Sequence, residues 1–115
     1  MFSVYTQLYI YAVCDILLTK GGWIMKKIYL VMHQRKPDTV SIIRQLCTEM
    51  KTAGLQPIAE PWLSSVVGEE LSWLEYCASA ENCEAVLAIG GDGTFLRANS
   101  FALAYGLPLL GINLG

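Results

Sequence analysis

A chain of 115 residues is long enough for about one domain of ordinary size with a buried core. Hydrophobic residues make up 54% and charged residues 16%, which excludes a disordered chain. Eight basic and ten acidic side chains leave a net charge of −2, so there is no electrostatic case for sequence-independent nucleic-acid binding.

Residues 1–24 differ in character from the rest of the chain. They hold Tyr5, Leu8, Tyr9, Ile10, Tyr11, Val13, Ile16, Leu17 and Leu18 with one acid, Asp15, and one base, Lys20. No base precedes the apolar run, and Gly21-Gly22-Trp23 is a poor cleavage site, which argues against a secretory signal. Gln7 and Asp15 interrupt the run, whereas a membrane span needs about 20 apolar residues in sequence. Met25-Lys26-Lys27 followed by Ile28–Met32 reads instead as the start of a soluble domain. Residues 1–24 are therefore expected to be an extension without a part in function, with 25–115 forming the domain proper and no membrane contact.

Ile28–Met32 is a short continuous apolar run, as in a strand covered on both faces. Pro37-Asp38 marks a turn and offers a helix cap. Val40, Ile43, Leu46, Cys47 and Met50 then fall on one helical stripe, and Gly54 supplies a left-handed stop. Leu55–Ala59 predicts a second strand, Pro61–Gly68 a loop, and Glu69–Ser79 a second helix with an acidic first turn. Glu84–Ile89 predicts a third strand. A glycine-rich turn leads into a helix over Thr94–Tyr105 that stops at Gly106, and Leu107–Ile112 predicts a fourth strand. Strands separated by helices imply an open, mainly parallel α/β sheet with helices on its faces.

Cys14, Cys47, Cys77 and Cys83 contain no Cys-x-x-Cys pair, and the single His33 is far from all of them in sequence, so no metal site is expected. Buried reduced thiols in a reducing compartment, the cytoplasm, suit the apolar surroundings of Cys47 and Cys77. Six bases and two acids lie between Lys26 and Lys51, against seven acids and no base between Glu60 and Asp92. That split suits either a phosphate-friendly side or two ordinary solvated faces.

Candidate chemistry is concentrated in Gly90-Gly91-Asp92-Gly93-Thr94, at the end of a strand and the opening of a helix. Gly90, Gly91 and Gly93 allow unusual backbone angles and let N–H groups approach a ligand without a Cβ in the way. The helix behind them brings about half a positive charge to its N-terminus, which suits phosphate oxygens, and Thr94 can cap it. The same residues also suit a plain strand-to-helix turn in which Asp92 is the cap. The spacing is neither a dinucleotide fingerprint of the Gly-x-Gly-x-x-Gly kind nor a P-loop.

Gly90–Thr94 resembles the signature shared by NAD kinases, diacylglycerol-type lipid kinases and, with Ser for Thr, phosphofructokinases. Phe95-Leu96-Arg97-Ala98, followed by Gly111-Ile112-Asn113-Leu114-Gly115, looks like the NAD kinase family. The lipid kinases carry an acid and an Asn soon after the motif, and neither stands between Phe95 and Ala98. The opening strand followed by Arg35-Lys36-Pro37 and a helix is similar to NAD kinases as well. The resemblance runs from about Lys27 to Gly115.

The resemblance implies a phosphotransferase that moves the terminal phosphoryl group from ATP, or in some members polyphosphate, to the 2′-hydroxyl of NAD's adenosine ribose. Asp92 would accept that hydroxyl's proton, and Asp92, Gly93 and Arg97 would contact NAD. Gly90, Gly91, Gly93 and Thr94 would form the phosphate loop, with magnesium compensating charge. The other reading of Arg97 is a solvent-facing helical residue. The family continues into a β-rich second domain with an Asn-Glu pair, and this sequence contains no such pair. The chain is thus expected to be an N-terminal part, incomplete as an enzyme, of a protein that is a homo-oligomer at full length. The other readings are a noncatalytic α/β nucleotide-binding remnant and part of a lipid or sugar kinase.

Overall fold

The strand predicted after Met25 is the centre of the sheet. The computed structural model describes residues 26–33 and 39–113. Within them β1 spans Lys26–Met32, α1 Thr39–Thr52, β2 Leu55–Ala59 and α2 Leu63–Val67. A 3-10 turn over Gly68–Leu71 leads to β3 (Glu75–Tyr76), then β4 (Ala85–Gly90), α3 (Asp92–Tyr105) and β5 (Leu109–Asn113). The sheet order is β3-β2-β1-β4-β5, with every neighbouring pair parallel. This is the expected α/β architecture.

Alternation along β1 explains its unbroken apolar run. Ile28, Leu30 and Met32 join a core with Ile43, Leu46, Cys47 and Met50 of α1, on the face that α2 also covers. Tyr29 and Val31 point the other way, into a core with Ala98 and Ala102 of α3. With helices on both sides, an unpaired polar group anywhere on the strand would be stranded away from water. Tyr29 meets that demand by donating its hydroxyl to the Cys77 carbonyl at 2.8 Å.

The helix ends coincide with glycines. Gly54, with φ +87°, ends α1, and its N–H reaches the Lys51 carbonyl at 3.1 Å. Gly106 ends α3 in a left-handed conformation, its N–H bonded to the Ala102 carbonyl. The cap expected from Pro37-Asp38, the Arg35-Lys36-Pro37 segment, Leu114-Gly115 and the extension 1–24 lie outside the described residues.

Two expectations fail between β2 and β4. Pro61–Gly68 is not a loop throughout, because Leu63–Val67 is helical and buries Leu63 and Val67, one helical turn apart, in the α1 core. Ser64 and Ser65 donate their hydroxyls to the carbonyls of Pro61 and Trp62, at 2.8 and 2.9 Å. Glu69–Ser79 is not a helix. After the 3-10 turn the chain straightens so that Glu75 and Tyr76 pair with Ile58 and Ala59, making β3 the edge of the sheet. Leu71 and Leu74 still reach the core, while Trp73 receives the Lys51 ammonium over its ring at 4.4 Å. Pairing with a free strand edge outweighed the local helical pattern.

Candidate functional site

Strand order reverses between β1 and β4, since the connection after β1 leads to β2 on one side and the connection after β4 leads to β5 on the other. In open α/β sheets a crevice opens at that point, outside the carboxyl ends of the strands. Gly90 ends β4 there. The register aligns Met32 with Ile89 and Ile89 with Ile112, and pairs Gly90 with Asn113. The His33 N–H donates to the Ile89 carbonyl at 3.1 Å, so β1 and β4 stay paired up to the rim. Three segments far apart in sequence thus end side by side.

Helix α3 starts two residues earlier than expected, at Asp92, with Gly91 as its cap residue and no side-chain capping bond. The expected cap by Thr94 is therefore corrected: Thr94 lies in the first turn, buried at 5% exposure against the loop. Asp92 does not cap the helix either. It is exposed, and no hydrogen bond or ion pair to another described residue engages its carboxylate. The first intrahelical bond runs from the Phe95 N–H to the Gly91 carbonyl, which leaves the amides of Asp92, Gly93 and Thr94 without helical acceptors. A cluster of amides at the positive end of a helix dipole, beside an open carboxylate, can hold phosphate oxygens and orient a hydroxyl.

The loop glycines divide into two kinds. Gly90, at φ +156°, has no room for a side chain: a Cβ there would sit 2.5 Å from Thr94 Oγ1 and 3.2 Å from His33 Cβ. A Cβ at Gly91 or Gly93 would meet nothing within 4 Å among the described residues. The chain's own packing accounts for the first glycine and not for the other two.

Arg97 lies one turn further along α3, and its side chain is 32% exposed. Its Nη1 donates to Glu60 Oε2 and its Nη2 to the Met32 carbonyl, so it faces the ends of β1 and β2 and does not pair with Asp92. Glu60, the residue after β2, is only 7% exposed, and its Oε1 accepts the Trp62 indole N–H at 3.2 Å. Sequence reasoning missed Glu60, Trp62 and His33. The available signal was an acid or a histidine directly after a predicted strand, at the edge where α/β sheets bind ligands. Among the described residues no three His, Cys, Asp or Glu side chains converge, and no helix is long and apolar enough to cross a membrane.

The chain is a parallel doubly wound α/β domain with a glycine-rich strand-to-helix loop at its switch point, the place where sheets of this class take phosphate-bearing ligands. Residues 28–115 match the family model of the ATP-NAD kinase N-terminal domain. The chain is 37% identical over 93 residues to the NAD kinase of Ruminiclostridium cellulolyticum, an alignment covering 79% of this chain and 32% of that protein. It is 43% identical over 75 residues to the NAD kinase of Nocardia farcinica (64% and 23% covered) and 51% over 59 residues to that of Corynebacterium glutamicum (51% and 19% covered). The chain belongs to the NAD kinase family. It spans about a third or less of the length of the curated relatives it matches.

Proposed function

We propose that this chain supplies the N-terminal part of an NAD kinase site, which transfers the terminal phosphoryl group of ATP to the 2′-hydroxyl of NAD's adenosine ribose and yields NADP and ADP. The observation that carries this reading is the pair of open glycines, Gly91 and Gly93, around an unengaged Asp92 at the switch point. No described residue packs where side chains at those glycines would stand, which leaves that space to a ligand. The amides of Asp92, Gly93 and Thr94 bind and align phosphate oxygens, while Arg97 and Gly93 contact the dinucleotide. Asp92 orients the ribose hydroxyl and accepts its proton late, as bond formation to phosphorus acidifies it, because a carboxylate is a weak base toward an alcohol. Phosphoryl transfer needs mainly alignment and charge compensation, so one such group suffices on the protein side.

Magnesium binds through one or two carboxylates and the nucleotide's own phosphates, and the open side of the loop beside Asp92 suits an ion carried in on them. It supplies charge compensation on the phosphoryl oxygens. Polyphosphate, with the same terminal chemistry, is an alternative donor. A cytoplasmic setting is supported by free Cys47, Cys77 and Cys83; Cys47 and Cys83 are buried, whereas Cys77, expected to be a buried thiol, is exposed. The same reading includes a homo-oligomer at the relatives' length, for which Leu96 and Leu103, 72% and 75% exposed on α3, offer apolar surface. Residues 1–24 lie ahead of the family match and are proposed to take no part in function.

The test is NADP formation at saturating ATP, magnesium and NAD by a version extended to the relatives' length. Asp92→Asn should keep the fold and most binding yet lose turnover by about 10²-fold or more, the range for a positioned base. Equal rates would remove Asp92 from the mechanism.

A further inference from the structure

A buried carboxylate is costly unless it is paired and hydrogen-bonded, and Glu60 is both. One oxygen takes Arg97 Nη1 and the other takes the Trp62 indole N–H at 3.2 Å, while Arg97 Nη2 is held by the Met32 carbonyl at the end of β1. The guanidinium is therefore fixed from two strands at once, across sequence separations of 37 and 65 residues. Glu60 contacts no part of the glycine loop through these bonds, and its near-complete burial keeps it from meeting a ligand directly. Arg97, at 32% side-chain exposure, can meet one. An arginine on a flexible stem loses rotamer freedom when it binds, and a side chain already held in place by a carboxylate has lost that freedom beforehand.

We propose that Glu60 is a positioning residue: its buried carboxylate, steadied by Trp62, holds the Arg97 guanidinium at the switch-point crevice in the orientation that receives the dinucleotide. The assignment rests on the reading of Arg97 as a dinucleotide contact. It adds the acid behind that contact, the strand end that supplies it, and the indole that orients it.

The experiment uses the 115-residue chain in two measurements, each on wild type, Glu60→Gln, Arg97→Gln and the double variant. Order of the Arg97 side chain is read by ¹⁵N relaxation at its Nε in the ligand-free protein, and affinity by titration with NAD. Glu60→Gln should make Nε mobile and weaken NAD binding about tenfold, the size of one lost charge-assisted hydrogen bond. That loss should vanish in the Arg97→Gln background, because the carboxylate acts only through Arg97. If it persists there, Glu60 is merely structural and the proposal fails. Tighter NAD binding by Glu60→Gln would show the carboxylate competing with the ligand for Arg97, which also overturns it. Binding lost in Arg97→Gln and kept in Glu60→Gln sinks the role of Glu60 alone. Binding indifferent to both, or absent from wild type, sinks the dinucleotide reading of Arg97 and the positioning role with it. Should Glu60→Gln fail to fold, Trp62→Phe removes only the indole bond and should weaken binding about threefold; no change would overturn the proposal.

Discussion

At Gly111, in β5, a Cβ would run into the ring of Phe95 on the first turn of α3. That glycine lets Phe95 seat against the sheet and so fixes how the helix leaves the loop. Gly93 is its opposite, with nothing within 4 Å of where a Cβ would stand. The two glycines should therefore respond differently to the same substitution. Gly111→Val should expel the ring and cost about 1–3 kcal/mol, as overpacking does, lowering the melting temperature by at least about 4 °C. Gly93→Val should leave the melting temperature nearly unchanged and weaken NAD or phosphate binding by closing the approach to the loop amides. Thermal melts and ligand titrations of both variants check this, and a Gly93→Val protein that binds normally would return the loop to a purely structural turn.

Among the elements, α1 shows how burial sets chemistry. Cys47 lies wholly inside the core that α1 makes with the sheet, and desolvation pushes its thiol up to about 12. Cys83, nearly buried, is pushed up to about 11, first by desolvation and then by Cys77. The folded chain thus keeps both thiols protonated beyond the usual range of about 8.5. Their contribution to stability is complete below about pH 8.5 and is lost as the pH rises toward the folded values, because the unfolded chain gives up those protons first. Denaturation midpoints should therefore fall steadily between about pH 9 and 11, and less steeply in Cys47→Ala. A flat profile in the wild type would contradict the assignment. Neighbouring elements show where sequence patterns mislead. The i, i+4 pair Leu63 and Val67 marked a helix that Pro61, Ser64 and Ser65 disguised as a loop. The acidic start of Glu69–Ser79 suggested a helix where the chain had to straighten to pair with β2.

Across the molecule, every described strand and helix lies between Lys26 and Asn113, and the family match begins at residue 28. Deleting residues 1–24 should leave soluble yield and melting temperature close to those of the intact chain, and a marked loss in either would assign that segment a structural role. Much of the architecture was legible beforehand. Apolar runs of strand length, helical stripes and the stops at Gly54 and Gly106 are local signals, each set by hydrogen bonding and burial within a dozen residues. They determined the number of the main strands, the parallel α/β class and the placing of Gly90–Thr94 at a strand end. The motif's resemblance to NAD kinases was likewise carried by contiguous residues. Other features needed partners far apart in the chain: the two-residue edge strand β3, the seat of Phe95 on Gly111, and the union of Glu60, Met32 and Arg97 across the strand ends. Local propensity cannot foresee these, because their free energy arises only when distant segments meet and bury one another's polar and apolar groups.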